Sequence, residues 1–320
     1  MNAAVIYDFA APPRYSTFAD PVAGQGELLV EVIASGLHPV VKSLAAGTHY
    51  GSTGVLPLIP GVDGIGRLQD GTQVYFGASK PPFGALAEVS VTARGMCIPT
   101  TASLDPVMMA GIGNPGMSSW VALTRRARFV AGERVLILGA TGIAGQLAVQ
   151  IAKHLGADRV VAAGRNPAAL ETTVELGADA TISLNQEPEL LLSSIRREFS
   201  EGGIDIVLDY LWGSAAEAVL EAMSQKGMRH AVTRVRFVQI GASAGPAITL
   251  RAATLRSTAI ELLGSGFGSA SMEEIFGALG EFFELAARAN LKINVKAVPL
   301  REVESVWNSQ ESGVRVVFVP

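Results

Sequence analysis

The stretch that most limits what this chain can become is RVLILGATGIAGQLAVQIAKHLGADRVVAAGRN, residues 134–166. An apolar strand, Arg134–Leu138, enters a glycine-rich turn. A helix follows over Gln146–Leu155, with Leu147, Ala148, Ile151, Ala152 and Leu155 on one face. Gly156 sits where such a helix stops, and Arg159–Ala163 reads as a second strand. The alternation continues with a helix over Pro167–Leu176 and strands over Ala180–Ser183, Ile204–Leu208 and Phe237–Ile240. Strands alternating with helices in this way predict an α/β fold, a doubly wound parallel sheet of the Rossmann type.

The turn Ala140-Thr141-Gly142-Ile143-Ala144-Gly145, preceded by Gly139, has the features a dinucleotide requires. The chain bends sharply out of a strand, its backbone can approach a pyrophosphate, and the helix can pack closely on the sheet. The helix start then offers free N–H groups and a partial positive charge to the phosphates. An acid at the end of the second strand would bond a ribose 2′-hydroxyl and repel a 2′-phosphate. Here that strand ends Gly164-Arg165-Asn166. A guanidinium suits a phosphate dianion in charge and geometry, and a hydrogen bond to a charged group contributes about 1.5–3 kcal/mol. The expected cofactor is therefore NADPH, with Asn166 as a neutral donor beside Arg165. The plainer alternative for Arg165 is a solvated surface arginine.

The first hundred residues read differently. Asn2–Tyr7, Glu27–Ala34 and Ala85–Val91 are strand-like, and the segment 55–76 is cut by Pro57, Pro60, Gly61, Gly64, Gly66 and Gly71. From Leu104 onward, helix-like stretches are expected to break at Gly113-Asn114-Pro115-Gly116. The tail beyond Val295 returns to strand-like text and is expected to fold back onto the N-terminal part. With 320 residues, two domains are anticipated.

Composition narrows the function classes. Net charge is −4, with both signs scattered, which is no nucleic-acid footprint. The run Lys226, Arg229, His230, Arg234, Arg236 lacks interleaved aromatics and reads as a solvated connection. Residues 135–152 are uncharged, but they break into strand, turn and amphipathic helix, so no membrane span is expected. The N-terminus has no basic leader and meets Asp8 early, so the cytoplasm is the default. One cysteine, Cys97, rules out an internal disulfide and a four-cysteine zinc lobe. It is expected to be a small hydrophobe near a strand end.

The segments GELLVEVIASGLHP, PLIPGVDGIGRL, FGALAEVSV, GNPGMSSWVAL, VLILGATGIAGQLAVQIAKHLGA, DIVLDYLWG and VQIGASAG together resemble the medium-chain dehydrogenase/reductase superfamily, in particular its zinc-free quinone oxidoreductase-like branch. They stand in family order from near residue 26 onward. The resemblance implies a β-rich GroES-like catalytic domain, 1–117 with 258–320, a Rossmann domain inserted at 118–257, and a cofactor in the cleft. Zinc-dependent members place ligands where this chain has His38, Val62 and Pro115, two of which cannot coordinate, so no metal is expected. The branch often carries Asn where His38 stands and a tyrosine near Leu184, and this chain departs at both.

Without a metal, the implied chemistry is hydride transfer to a quinone, an enone or another activated carbonyl, with a hydrogen-bond donor at the oxygen that gains charge. Candidate donors are His38, Tyr50 and, behind them, His49. Asn114 and Ser119 are expected to line the nicotinamide side. Gly241-Ala242-Ser243 follows a strand end and is expected to let the nicotinamide ribose approach. The segment LLGSGFGS, with Gly266 and Phe267, resembles the family element that pairs across a dimer and closes over the nicotinamide, so a homodimer is expected. A cofactor-binding protein without turnover, a sensor or crystallin-like protein, stays open as the alternative. A short-chain reductase is excluded, because none of Tyr7, Tyr15, Tyr50, Tyr75 or Tyr210 has Lys four residues on. A methyltransferase would want an acid where Gly164 and Arg165 stand.

Overall fold

The computed structural model describes residues 1–100, 104–224, 233–309 and 313–320. These divide into two compact units, 1–115 with 272–320, and 116–271.

In chain order the first unit contributes β1 (Asn2–Val5), β2 (Arg14–Thr17), β3 (Glu27–Gly36), α1 (Pro39–Ala45), β4 (Asp63–Arg67), β5 (Gln73–Gly77), β6 (Val89–Ala93) and β7 (Cys97–Pro99). Helix α2 (Pro106–Val121) follows. The second unit holds β8 (Arg134–Leu138), α3 (Ile143–His154), β9 (Arg159–Gly164), α4 (Pro167–Glu175), β10 (Ala180–Ser183), α5 (Pro188–Ser200) and β11 (Ile206–Asp209). It continues through α6 (Gly213–Met223), β12 (Arg234–Gln239), α7 (Ala252–Ser257) and β13 (Ala259–Gly264). The chain then returns to the first unit with α8 (Met272–Ala289), β14 (Asn294–Pro299), α9 (Val303–Val306) and β15 (Val314–Val319).

The second unit is built on one parallel sheet in the order β10-β9-β8-β11-β12-β13, the doubly wound order that reverses direction beside its first strand. Its strands are apolar runs because both faces are covered: Val135, Leu136, Ile137 and Leu138 are all fully buried. Strand β13 joins this sheet through six parallel pairs with β12. Residues 258–271, expected with the catalytic domain, therefore lie in the second unit.

The first unit carries a mixed sheet, β14-β15-β3-β4-β5-β7, with β6 also on β3, and a small β1-β2 pair. Strand β15 runs antiparallel to β3, with Val317 opposite Gly36 and Phe318 opposite Ser35. Helix α8 buries Ile275, Phe276, Leu279, Phe282, Phe283 and Ala286, the stripe of an amphipathic helix. Cys97 is half-buried beside the cluster of Val30, Val32, Val74 and Phe76, and burial pushes its thiol up to about 11.

The expected break at Gly113–Gly116 is absent. Helix α2 runs through Pro115 without interruption. Proline removes one N–H and crowds the carbonyl four residues back, and that residue is Gly111. Tertiary packing overrides the local preference: Met109, Ala110 and Ile112 are buried. Gly113 lies so close to Tyr75 that a Cβ would stand 2.6 Å from its ring. After Val121 the helix widens into a π-helical turn, Ala122–Arg126.

The uncharged run 135–152 resolves into β8, a turn and α3. No helix among the described residues is long and apolar enough to cross a membrane. Of the basic run, Lys226, Arg229 and His230 lie outside the described residues. Arg234 is paired with Glu261 at 2.7 Å, while buried Arg236 bonds Glu133 and, at 2.8 Å, the carbonyl of Ala127.

Candidate functional site

In the second unit the glycine turn is assembled from backbone contacts. The amides of Gly139 and Ala140 both donate to Ala163 O, at 2.9 and 3.0 Å, which joins the ends of β8 and β9. Gly139 has φ 84°, a conformation glycine adopts without strain. At Gly145 an added Cβ would stand 2.3 Å from Gly139 O and 2.5 Å from Ala140 Cα, so this glycine lets α3 press onto the strand. Gly142 is different. It caps α3 with φ −82° and ψ 163°, which any residue adopts, and its Cβ would meet only Gly139 O at 3.5 Å. The protein itself makes no demand for glycine there, and the position is exposed. Ile143 and Ala144 complete the first helical turn, which contains no acid.

The end of β9 lies beside this turn. A Cβ on Gly164 would stand 2.4 Å from Thr141 Cγ2, so Thr141 fills the space above it. Arg165 is exposed and forms no ion pair among the described residues. Asn166 is committed in part: its Oδ1 accepts from Ala169 N at 3.3 Å and caps α4. Leu184, where a tyrosine was expected of the family, packs against the apolar cluster around Leu136 and Val161.

The neighbouring strands end on the same edge. Gly241 follows β12, and a Cβ there would stand 2.7 Å from Tyr210 O. Ser243 Oγ donates to that same carbonyl at 3.0 Å, while Ala242 is exposed. Beyond β13, Gly266 N donates to Ser269 Oγ at 2.8 Å and Phe267 is 40 % exposed. One sheet edge thus gathers the glycine turn, Gly164–Asn166, Gly241–Ser243 and Gly266–Phe267.

Ser119 is an exception. It is fully buried, with Oγ 3.2 Å from Ala144 O and 2.8 Å from the Tyr210 hydroxyl. Through these two contacts it braces the turn. Asn114, on the same helix, is half-buried and belongs to the first unit.

Asp209, which the sequence did not single out, ends β11 fully buried. Its Oδ1 accepts from Leu211 N at 2.8 Å and Trp212 N at 2.9 Å, fixing a turn in which Trp212 takes φ 58°. Oδ2 has no partner. Burial pushes the carboxyl up to about 6, against the pull of those two N–H donors. The folded value lies above the unfolded one, so ionised Asp209 costs stability at neutral pH, and the cost fades as pH falls through 6 toward 4. Asp209→Asn keeps an acceptor and removes the charge. Urea denaturation is expected to show a gain of about 3 kcal/mol near pH 8, at 1.36 kcal/mol per unit, shrinking to almost nothing below pH 4. An equal gain at both would assign the cost to something other than charge.

In the first unit, His38 and Tyr50 are placed oppositely. Tyr50 is 73 % exposed and stacks on His49, ring centroids 4.1 Å apart. His38 is 1 % exposed, which corrects its expected role: it cannot reach a bound acceptor in this conformation. Gly36 admits the ring, since a Cβ there would stand 2.6 Å from it. Asp63 lies beside it, with Oδ1 3.2 Å from His38 Nε2 and Oδ2 accepting from the Tyr75 hydroxyl at 2.7 Å. Tyr75 packs on Phe283, centroids 5.2 Å apart. Burial, reinforced by Asp63, holds the Tyr75 phenol well above its usual range. Asp63, Tyr75 and Arg315 were missed in the sequence. The one available signal was a lone charge in an otherwise apolar or glycine-rich strand, Asp63 in VDGIG and Arg315 in VRVVFV.

Known proteins resemble this chain at both levels. A family model described as zinc-binding dehydrogenase matches residues 144–284. A probable NADPH-dependent quinone reductase of Emericella nidulans is 29 % identical over the full length of both chains. Human quinone oxidoreductase is 28 % identical over 71 % of each. Among solved structures, the quinone oxidoreductase of Thermus thermophilus, also determined in complex with NADPH, aligns over 100 % of both chains with TM-score 0.79 and 26 % identity.

Proposed function

Because the chain belongs to the medium-chain dehydrogenase/reductase superfamily, in its quinone oxidoreductase-like branch, we propose that it is a zinc-independent, NADPH-dependent reductase of quinones, enones or other activated carbonyls. The observation that carries the cofactor half of this reading is Arg165, an exposed guanidinium at the end of β9 with no acidic partner among the described residues. Gly142 supports it: a glycine that nothing inside the protein requires stands at the start of a helix of 12 residues, where the backbone of a pyrophosphate-binding turn must stay open.

The residues fit the cofactor in charge and shape. The first N–H groups of α3, at Ile143, Ala144 and Gly145, would hold the pyrophosphate, aided by the helix dipole. Arg165 would hold the 2′-phosphate, with the Asn166 amide beside it. Gly241–Ser243 and Gly266–Phe267, on the same sheet edge, would border the nicotinamide end. When bound, NADPH supplies the hydride. The chain's remaining task is to place a donor at the acceptor oxygen as negative charge develops there. Of the three donors expected, Tyr50 is exposed, His49 half-buried and His38 buried, so the role falls to the Tyr50 hydroxyl rather than to His38. Zinc has no part in it, since Val62 and Pro115 offer no ligand atom.

A homodimer belongs to the same reading. Among the described residues the outer edge of β13 has no strand partner and Leu262 is 40 % exposed; such an edge favours pairing with a second copy. One preparation tests all of this. Light scattering is expected to give the mass of two chains, and NADPH oxidation is expected with at least one member of a panel of quinones and enones, slowed in Tyr50→Phe. Tight NADPH binding with no oxidation across the panel would favour the non-catalytic alternative. No binding of either nicotinamide coenzyme would end the proposal.

A further inference from the structure

Tyr210 follows the end of β11 and meets three parts of the sheet edge. Its amide donates to Leu138 O, at the end of β8, at 3.2 Å. Its carbonyl accepts from Ser243 Oγ at 3.0 Å and from Ser243 N at 3.4 Å. Its Cβ lies against the glycine turn, since a Cβ added to Gly139 would stand 3.3 Å from it. The phenol hydroxyl stands 2.8 Å from Ser119 Oγ, which is itself 3.2 Å from Ala144 O. A carbonyl can only accept, so Ser119 donates to Ala144 O and receives the hydrogen of Tyr210. Burial pushes the phenol up to about 12, against the pull of Ser119, so Tyr210 keeps that hydrogen at neutral pH.

Packing alone does not call for this pair. Two hydroxyls taken out of water gain little net by bonding each other, and an apolar pair of the same shape can be about as stable. What the pair does that Phe and Ala could not do is place a hydrogen on Ala144 O. That oxygen belongs to the same planar peptide unit as the Gly145 N–H. Gly145 is the third residue of α3, in the turn whose amides have no intrahelical acceptor. Gln146 N is the first to find one, on Gly142 O at 2.8 Å. A hydrogen bond received at the carbonyl of a peptide polarises the unit and strengthens its N–H as a donor on the other side.

We infer that Tyr210 is a positioning residue for the coenzyme: acting through Ser119, it fixes and polarises the Ala144–Gly145 peptide, whose N–H then meets the pyrophosphate. The inference rests on the proposal that NADPH binds at this turn. Tyr210 holds the other side of the edge by its backbone. Its carbonyl bonds Ser243, and Gly241 lies so close that a Cβ there would stand 2.7 Å from the same oxygen. The glycine turn and the Gly241–Ser243 loop therefore share one anchor, and the phenol tunes only the first of them.

Calorimetric titration of the full chain with NADPH and with adenosine 2′-monophosphate tests this, because the second ligand carries the 2′-phosphate and no pyrophosphate. Ser119→Ala removes the donor itself and is expected to raise the Kd for NADPH by about threefold to fivefold. Tyr210→Phe leaves that donor unsupported, and about a twofold rise is expected. The Kd for adenosine 2′-monophosphate is expected to stay unchanged in both. The double variant is expected to lose no more than Ser119→Ala alone, since both substitutions cut one path. It is also expected to melt close to the wild type, because both partners of the buried bond are removed together. Equal losses for the two ligands would show general loosening and overturn the inference. So would unchanged NADPH affinity in folded Tyr210→Phe, or the same loss from Tyr210→Phe with Ser119 already replaced. If Ser119→Ala does not fold by circular dichroism, the ratio of the two Kd values in Tyr210→Phe decides alone. A wild type that binds no NADPH would instead end the coenzyme proposal, and this inference with it.

Discussion

Arg165→Asp is expected to invert the coenzyme preference. The wild-type guanidinium offers charge-assisted hydrogen bonds to a 2′-phosphate, each contributing about 1.5–3 kcal/mol, or about tenfold to a hundredfold in affinity. The variant loses that contribution and adds repulsion between a carboxylate and the phosphate dianion. It also gains an acceptor for the ribose 2′-hydroxyl of NADH. kcat/KM with NADPH is therefore expected to fall by about a hundredfold, while kcat/KM with NADH rises or holds. The site tolerates the change structurally, because Arg165 is exposed and no acidic side chain among the described residues depends on it. An unchanged ratio of the two specificity constants would remove Arg165 from the cofactor site.

The second large effect separates two glycines three residues apart. Gly145→Ala would put a methyl group 2.3 Å from Gly139 O and 2.5 Å from Ala140 Cα. Both neighbours are backbone, and Gly139 is itself tied to Ala163 O at 2.9 Å, so neither gives way. Overpacking of this kind costs about 1–3 kcal/mol or more, and the second unit is expected to melt at lower temperature with little folded protein recovered. Gly142→Ala meets only an ordinary contact at 3.5 Å, and its backbone is already in a region alanine favours. The melting curve of that variant is expected to match the wild type in the absence of coenzyme. NADPH affinity, measured by fluorescence titration, is expected to fall by at least about tenfold, because the methyl would stand where the pyrophosphate backbone must approach. Full affinity in Gly142→Ala would place the coenzyme elsewhere.

Legibility in the sequence followed the range of the interactions. The parallel sheet was visible because each strand, turn and helix carries its own local pattern, and β8, β9 and α3 emerge within a few residues of where periodicity puts them. The place of Arg165, just past the end of β9, was visible because it depends only on counting from the glycine turn. The break expected at Pro115 failed because the packing that holds α2 straight comes from Tyr75 and from residues on other elements. His38 was misjudged for a related reason. Its burial depends on Gly36, Asp63 and Arg315, and the last of these reaches it only through the pairing of β15 with β3. Sheet register between distant segments leaves no trace in local spacing. The bracing contact of Ser119 was hidden for the same reason, since its partner Tyr210 lies at another strand end.

The first unit is split in sequence, and β15 lies inside its sheet between β14 and β3. Translation proceeds at about 5–20 residues per second, so the ribosome spends on the order of ten seconds making the intervening second unit. That unit is continuous and can close while still tethered. Throughout this interval the nascent N-terminal half has a bare sheet edge at Ser35 and Gly36, and the Leu37 carbonyl lacks its Arg315 donor. The portion of the molecule born first is the portion completed last, which makes it the stretch most in need of chaperone protection during synthesis.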